Sequence, residues 1–268
     1  MSNFARMAKR HSEQLINSVL NLEDLAECIM LTDVNGFVVE FDDLSGQISY
    51  GVTEIPIRIS YLNGTPFLRG RYTHRNRTLN VHAAGDDKEN ILFALTLASS
   101  MRIKHPAAAL AGPQAVEKKA STLSHANEIA KMKHKTGVTI YRINRANRLT
   151  AWKATEKDEA FDMQIIRANQ ATIPFLDVRV EKNCCFSFLH WLGLTFHPTQ
   201  YACYKRDQFI GTIRPKIGCG LSQIGYVVKF ENVPSPAHIS KTIVLASVIT
   251  TLLNLGPINI SDDIEEEE

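Results

Sequence analysis

The chain has 268 residues, of which 44% are hydrophobic and 22% charged, with 14 glycines and 10 prolines. These values are typical of a globular protein and exclude collagen-like, low-complexity and largely disordered chains. The formal net charge is only +2, but six of the 28 acidic residues lie within positions 262–268. Residues 1–261 therefore hold 30 bases against 22 acids, a formal charge of +8. Such a charge favours an anionic partner, for example phospholipid head groups or nucleic acid.

The cysteines and the first residues of the chain indicate a reducing compartment. Five cysteines are present, with no Cys-x-x-Cys spacing and one adjacent pair, Cys184 and Cys185. An odd number without paired spacing is not typical of a secreted disulfide framework. Positions 1–11 contain no apolar signal-peptide core. We therefore expect a cytosolic protein.

Hydrophobic periodicity predicts a helix, several strands and a second helix in the first part of the chain. Apolar residues at helical spacing favour a lead helix over 1–27, after which the period changes to two. Asn-Gly turns between apolar runs are typical of hairpins. The predicted elements after the lead helix are hairpins at 28–41 and 55–74, a strand at 78–84 and an enclosed apolar helix at 89–103.

The second part of the chain repeats this plan after a basic linker. Residues 105–137 are rich in small and basic residues, are interrupted by Pro and Gly, and have no apolar stripe. This composition predicts a linker. The elements predicted beyond it are hairpins at 138–156, 160–181 and 199–215, an apolar loop at 184–196, a strand at 225–230, and an apolar helix at 238–255.

Strands followed by an apolar helix thus occur twice, which indicates a weak internal duplication. Helices this apolar must be enclosed by a sheet, so we predict a mainly β fold: a barrel of about twelve strands around apolar helices. A bilayer span by residues 239–255 is a less favoured alternative, because a span needs about 20 apolar residues. The predicted divisions of the chain are 1–27, 28–104, 105–137, 138–257 and an acidic tail, 258–268.

Several segments resemble the phospholipid scramblase family. Residues 141–185 show a Tyr-x-Ile strand, an Asn-containing turn, an Ile-Ile hairpin, an Arg and a cysteine pair, in the order of the scramblase opening. Residues 209–216 are similar to the Ile-Gly-x-Ile strand of that family, and 239–255 to its closing apolar helix. The resemblance extends to the tubby-like and LURP-one-like relatives. It implies a twelve-stranded barrel around a buried helix, and a phospholipid-binding protein on the cytosolic face of membranes.

The resemblance also implies that Cys184 and Cys185 are acylation sites, because the scramblase cysteine cluster at this place carries palmitate. One acyl chain anchors a protein only marginally, so two adjacent thiols would matter physically. The alternative is that both are ordinary buried small side chains.

Basic residues in two regions are the candidates for a surface that contacts anionic head groups. Each base near a membrane contributes about 1 kcal/mol. The alternative is a solvated charged face, and RNA is a weaker competitor because aromatic residues do not interleave with the bases. The candidates are Arg69, Arg71, Arg75, Arg77, Lys118, Lys119, Lys131, Lys133 and Lys135.

Acidic residues before the predicted helix at 89–103 lie where scramblases carry a calcium-binding segment. Asp86, Asp87 and Glu89 lack the spacing of a calcium loop, and Asp86 and Glu89 have capping-box separation. Helix capping is therefore the favoured interpretation, and calcium is poorly supported. No nucleotide, hydrolase or zinc motif is present in the sequence, so we expect no enzyme activity and no cofactor.

The leading functional prediction is a scramblase-like, lipid-binding, membrane-associated protein that binds or scrambles phospholipids. The alternative is a soluble, tubby-like interaction scaffold without lipid activity, in the cytoplasm or the nucleus. A third reading is a true bilayer-spanning scramblase. Fold alone does not choose among them.

Overall fold

A computed structural model describes residues 24–41, 54–73, 75–85, 90–98, 128–146, 160–218 and 224–255. Twelve antiparallel strands form a closed barrel in which each strand pairs with its neighbours in sequence, and β1 pairs with β12. The strands are β1 Gly36–Phe41, β2 Glu54–Tyr61, β3 Pro66–Thr73, β4 Thr78–Ala83, β5 Ile91–Leu97, β6 Glu128–His134, β7 Thr139–Arg145, β8 Met163–Arg167, β9 Gln170–Glu181, β10 Gln200–Lys205, β11 Gln208–Pro215 and β12 Gly225–Phe230. The described residues contain three helices: a 3-10 helix, Ala26–Leu31, before β1; α1, Cys184–Trp191, between β9 and β10; and α2, Ala237–Leu255, after β12. The predicted mainly β barrel of about twelve strands is confirmed, and among the described residues it surrounds one apolar helix where apolar helices were predicted.

Alternation along the strands separates the barrel interior from its outer surface. In β2, Ile55, Ile57 and Ile59 are buried, whereas Arg58 between them is directed outward. This period of two is what a sheet with one buried face requires. At the turn to β3, Gly64 has a φ of +88°, and the amide of Thr65 donates to Asn63 Oδ1 at 3.0 Å. The hairpin predicted at 55–74 is therefore confirmed.

The helix α2 fills the barrel interior. Every residue from Ile239 to Leu253 is buried. Its buried hydroxyl groups donate to the carbonyl oxygen four residues back, as in Ser247 to Ile243 at 2.9 Å and Thr250 to Ala246 at 2.8 Å. These bonds satisfy the hydroxyls without breaking the helix, so a helix that contains polar residues can be enclosed on all sides.

By length and composition, α2 is the one helix among the described residues that could cross a membrane, and most of its apolar stretch is buried inside the protein. The enclosed-helix prediction for 239–255 is confirmed.

The 3-10 helix covers the end of the barrel where α2 begins, which we call the entry end. Cys28 and Leu31 of this helix are buried, as is Leu25 just before it. The Lys241 ammonium on the first part of α2 donates to the carbonyl oxygen of Thr32 at 2.6 Å. This bond ties α2 to the end of the 3-10 helix. We call the opposite end, where α2 finishes, the far end, and α1 follows β9 there.

Glycines allow close approach of the two strands that close the ring. A Cβ atom on Gly36 would lie 2.5 Å from the carbonyl oxygen of Val228, and one on Gly225 would lie 2.6 Å from that of Val39. Contacts this short between a Cβ and a backbone oxygen are sterically forbidden. The β1–β12 seam therefore requires glycine at both positions.

Four of the predicted elements differ in the structure. The segment Ile91–Leu97 is strand β5 and not part of an apolar helix, because its backbone pairs with β4 on one side and with β6 on the other. Strands followed by an apolar helix therefore occur once among the described residues. Residues 26–31 form the 3-10 helix and not the first strand of a hairpin, residues 128–134 form β6 within the predicted linker, and residues 184–191 form α1 within the predicted loop.

Some predicted segments lie outside the described residues. They are 1–23 of the lead helix, 99–127 of the linker region, 147–159 of the first hairpin after the linker, and the acidic tail.

Candidate functional surfaces

Two pairs of the predicted basic residues lie on one outer surface of the barrel, which we call the basic wall. It is formed by Arg69 and Arg71 on β3 and by Lys131 and Lys133 on β6. The strand register connects them: Arg71 is opposite Asn80, Asn80 is opposite Ala94, and Ala94 is opposite Lys133. Residues opposite each other in a sheet point to the same face. The fold thus joins bases from two distant segments into a single surface.

The strands between the two pairs carry no negative charge on their outer face. The outward side chains of β4 and β5 are neutral or weakly basic. They are Thr78, Asn80, His82, Ala94 and Thr96. No acidic side chain of the described residues therefore interrupts the positive potential between β3 and β6.

Acidic residues flank the basic wall and neutralise part of it. Arg71 Nε lies 3.4 Å from Glu54 Oε2, and Lys131 Nζ lies 3.0 Å from Glu128 Oε1. The Arg71–Glu54 pair is exposed on both sides and is worth only about 0–1 kcal/mol, so an anionic ligand can compete for Arg71. The Glu128 carboxylate beside Lys131 is only 10% exposed, so Lys131 is less available. Within the described part of the chain, Arg69 and Lys133 form no ion pair. These two residues are the centre of the positive surface.

The other predicted bases lie elsewhere. Arg75 and Arg77 are in the β3–β4 turn at the far end, where the Arg77 guanidinium donates to the carbonyl oxygen of Ala98 at 3.4 Å. Lys135 is in the β6–β7 turn at the entry end. Its ammonium lies 2.9 Å from Glu27 Oε1. The structure therefore does not bring these three into the basic wall. Lys118 and Lys119 lie outside the described residues.

Glu27 joins the 3-10 helix to the β6–β7 turn. Its carboxylate contacts Lys135 and also His134 Nε2, at 3.1 Å. Burial raises the pKa of Glu27, but the hydrogen bonds from Lys135 and His134 outweigh it and bring the pKa from 4.5 to about 2. Lys135 therefore holds the covering helix in place.

Both predicted acylation sites are exposed on α1. The Asn183 side chain begins this helix by accepting a hydrogen bond from the Cys185 amide at 2.9 Å. Cys184 and Cys185 are free and exposed. The alternative interpretation, that both are buried small side chains, is wrong. By contrast, the buried thiols Cys28 and Cys203 have raised pKa values because burial disfavours the thiolate.

Exposed apolar side chains surround these thiols. Phe188 is 57% exposed and Trp191 is 78% exposed, and their rings stack with centroids 5.9 Å apart. Ile217 is 58% exposed, and a hydrogen bond from the Gly218 amide to the Leu194 carbonyl at 2.9 Å ties its loop to the end of α1. We call this group, with Leu192, the aromatic patch. Exposed apolar side chains grouped on and beside one short helix are typical of a contact site for a membrane or a protein.

The basic wall and the aromatic patch lie on opposite sides of the barrel. The patch is in the β9–β10 connection, six strand positions away from β3 and β4 in the ring of twelve. A flat membrane therefore cannot contact the centre of both at once. Head-group binding by the wall and anchoring through Cys184 and Cys185 are separate hypotheses.

The acidic segment before Ile91 was predicted to cap a helix, with calcium binding as the less favoured alternative. Asp86, Asp87 and Glu89 lie outside the described residues, and the chain is a strand from Ile91 onward, so the capping interpretation is wrong. Among the residues that the structure describes, no three His, Cys, Asp or Glu side chains are grouped for a metal ion.

The sequence analysis missed a second basic group, at the entry end inside the barrel rim. Arg167 ends β8 and Lys205 ends β10, and each has the inward parity of buried residues on its strand, Ile165 and Cys203. We call Arg167 and Lys205 the cationic mouth. In the sequence, each of these residues is a base at the last inward position of a strand. That pattern indicates a shared basic group only when it is known which strands lie next to each other.

Comparison with protein-family models, curated proteins and solved structures found no match to this chain. The scramblase resemblance therefore remains a hypothesis based on residues and on a barrel with a buried helix.

Proposed function

We propose that the protein is a peripheral membrane protein that binds anionic phospholipids through the basic wall. The observation that carries this proposal is the alignment of Arg69 and Arg71 with Lys131 and Lys133 on one outer face, without an acidic residue on the strands between. The barrel supports a role in binding rather than catalysis, because its interior is filled by α2. Phospholipid scrambling is a finer form of this proposal, to be tested by lipid exchange between leaflets.

The charges of the basic wall set the expected strength of binding. Each base near an anionic surface contributes about 1 kcal/mol, and the potential decays within about 8–10 Å at physiological salt. Four bases therefore support reversible association that weakens as salt rises. Arg69 and Lys133 contribute most, because acidic partners do not compete for them among the described residues.

Vesicle co-sedimentation of a double variant tests the proposal. Arg69→Gln with Lys133→Gln removes two charges from the wall, which should weaken binding to phosphatidylserine vesicles by about 30-fold at low salt. Arg214→Gln with Lys229→Gln is the matched control. It removes two exposed outward charges from β11 and β12, on another side of the barrel. Neutral vesicles should bind neither the wild type nor the variants.

Equal loss of binding in both double variants would show that only net charge matters and would refute a defined surface. Binding of the wild type to no vesicle at either low or physiological salt would refute membrane association.

The second candidate is a soluble interaction scaffold, and the observation that favours it is the aromatic patch. Phe188 and Trp191 are exposed residues of the kind that anchor protein interfaces. In this case Trp191→Ala should abolish recovery of a partner protein from a cell extract, while Arg69→Gln with Lys133→Gln should not change it. The two variants therefore separate the two functions.

A further inference from the structure

The chain carries charges of opposite sign on the basic wall and in the acidic tail. Positions 262–268 contain six acidic residues, whereas residues 1–261 have a formal charge of +8. On the wall, Arg69 is exposed, Lys133 is partly exposed, and neither forms an ion pair with another described residue. Opposite charges on one molecule attract each other when the chain between them allows it. The question is therefore whether the tail reaches the wall.

The position of α2 brings the tail to the far end of the barrel. The helix ends at Leu255 inside the ring of strands, and the tail follows it in the chain. A ring of twelve tilted strands has a radius of about 12 Å, so the end of α2 lies about that far from the rim. At about 3.3 Å per extended residue, Asp262 can reach about 23 Å and Glu268 about 43 Å from Leu255. The acidic positions can therefore pass over the rim to the outer face.

The four bases of the wall lie within this range. Arg71 is two residues before the end of β3 at the far end, and Lys131 is three residues after the start of β6 at the same end. Arg69 and Lys133 are two residues further along their strands. At about 3.3 Å per residue, the four bases are about 7–17 Å from the far rim. Seven residues with six acids are long enough to lie beside all four.

The opposite side of the far end is a poorer match for the tail. Lys182 and Arg214 are exposed there, but β10 separates their strands, and Glu181 precedes Lys182 in the chain. The rim next to the wall instead carries Arg75, which is exposed in the β3–β4 turn. Attraction of an acidic segment grows with the number of bases grouped on one surface. The tail is therefore attracted to the side of the barrel that carries the wall.

We propose that the acidic tail binds the basic wall of the same molecule and competes there with anionic membranes. The contact itself depends only on the charges, whereas its regulatory role rests on the function proposed for the wall. Exposed ion pairs are weak one by one, but a tethered segment has a high effective concentration at its surface. A strongly anionic membrane displaces the tail, and a weakly anionic one does not. The tail thus sets the membrane charge that binding requires.

Zero-length crosslinking tests the contact without a membrane. A water-soluble carbodiimide joins a carboxylate to an amine only where the two touch, and mass spectrometry of the peptides identifies the pair. At low salt, the monomer of the full chain should contain amide bonds between Lys133 and tail carboxylates, and about 0.5 M salt should remove them. Lys182 is the matched control, because it is exposed at the same end of the barrel on the other side. Equal crosslinking of Lys133 and Lys182, or none at Lys133, would overturn the proposal.

Vesicle binding by a neutral-tail variant measures the competition. The variant carries Asp262→Asn, Asp263→Asn, Glu265→Gln, Glu266→Gln, Glu267→Gln and Glu268→Gln. It should bind phosphatidylserine vesicles about fivefold or more tightly than the wild type at low salt. Combined with Arg69→Gln and Lys133→Gln, the gain should fall to about twofold or less, because the tail then has little left to cover. Combined with Arg214→Gln and Lys229→Gln, which remove the same net charge elsewhere, the gain should persist. An equal gain in both combinations would show an effect of net charge and would overturn the proposal.

The two experiments separate this contact from the function proposed for the wall. Crosslinks at Lys133, without vesicle binding by either form of the tail, would support the contact and refute the membrane function. Vesicle binding that depends on Arg69 and Lys133, without crosslinks at Lys133, would support the membrane function and refute the contact.

Discussion

Truncation of Leu245 in the middle of α2 tests whether the barrel encloses this helix. The Leu245 side chain is 0% exposed, and its neighbours along the helix are buried on every side. Replacing a buried leucine by alanine costs about 2–5 kcal/mol, and the cost rises with the cavity that remains. A closed ring of strands cannot move inward easily, so we expect Leu245→Ala to lie in the upper part of that range, about 3–4 kcal/mol.

Urea denaturation followed by circular dichroism measures this loss. The total free energy of unfolding of a domain is about 5–15 kcal/mol, so the midpoint should fall clearly while the slope stays constant. Ile217→Ala is the control. Ile217 is 58% exposed, and its truncation should change the free energy of unfolding by less than about 0.5 kcal/mol.

Two results would refute the enclosed helix. One is a Leu245→Ala variant as stable as Ile217→Ala. The other is resistance to carbonate extraction from membranes in a variant with Cys184→Ser and Cys185→Ser, because without acylation only a helix that crosses the bilayer would resist. Leu245→Asp should abolish soluble expression, because it would bury a carboxylate without a partner.

Three further predictions concern the entry end, α1 and the seam. The folded-state pKa of Glu27 is lowered to about 2, so its stabilising contribution is present above pH 4.5 and is lost as the pH falls towards 2. Glu27→Gln should therefore flatten the loss of stability between these values in acid unfolding, and an unchanged profile would contradict the assignment. Replacing Cys184 and Cys185 by Ser should move membrane-associated protein to the cytosol in cell fractionation if they are acylated, with a melting temperature within about 2 °C of wild type, because both are exposed. Unchanged fractionation would exclude acylation as the anchor. Gly36→Ala should lower the free energy of unfolding in urea by about 1–3 kcal/mol, because its Cβ would lie 2.5 Å from a carbonyl oxygen. Gly85→Ala, where a Cβ would contact nothing within 4 Å, is the control, and equal effects would contradict close packing at the seam.

Local sequence patterns determined the β2–β3 hairpin and the central helix. Asn63 and Gly64 between two alternating runs predicted the β2–β3 hairpin, because their turn needs a positive φ and alternation sets which residues face the core. The uniform apolar character of 239–255 predicted an enclosed helix, because no face of it is suited to water. From these elements the barrel followed as the architecture that can surround a helix.

Only the tertiary structure decided the role of segments whose local pattern is ambiguous. Residues 91–97 are apolar on both faces and fit a helix or a buried strand equally, and the place between β4 and β6 made them a strand. The basic residues show the same dependence. Arg71 and Lys133 belong to one surface because β4 and β5 connect them in register. Arg167 and Lys205 lie 4.9 and 5.0 Å from the same Phe175 ring because β9 runs between their strands. A sequence records the charge of each residue, but strand pairing between distant segments determines which charges share a surface.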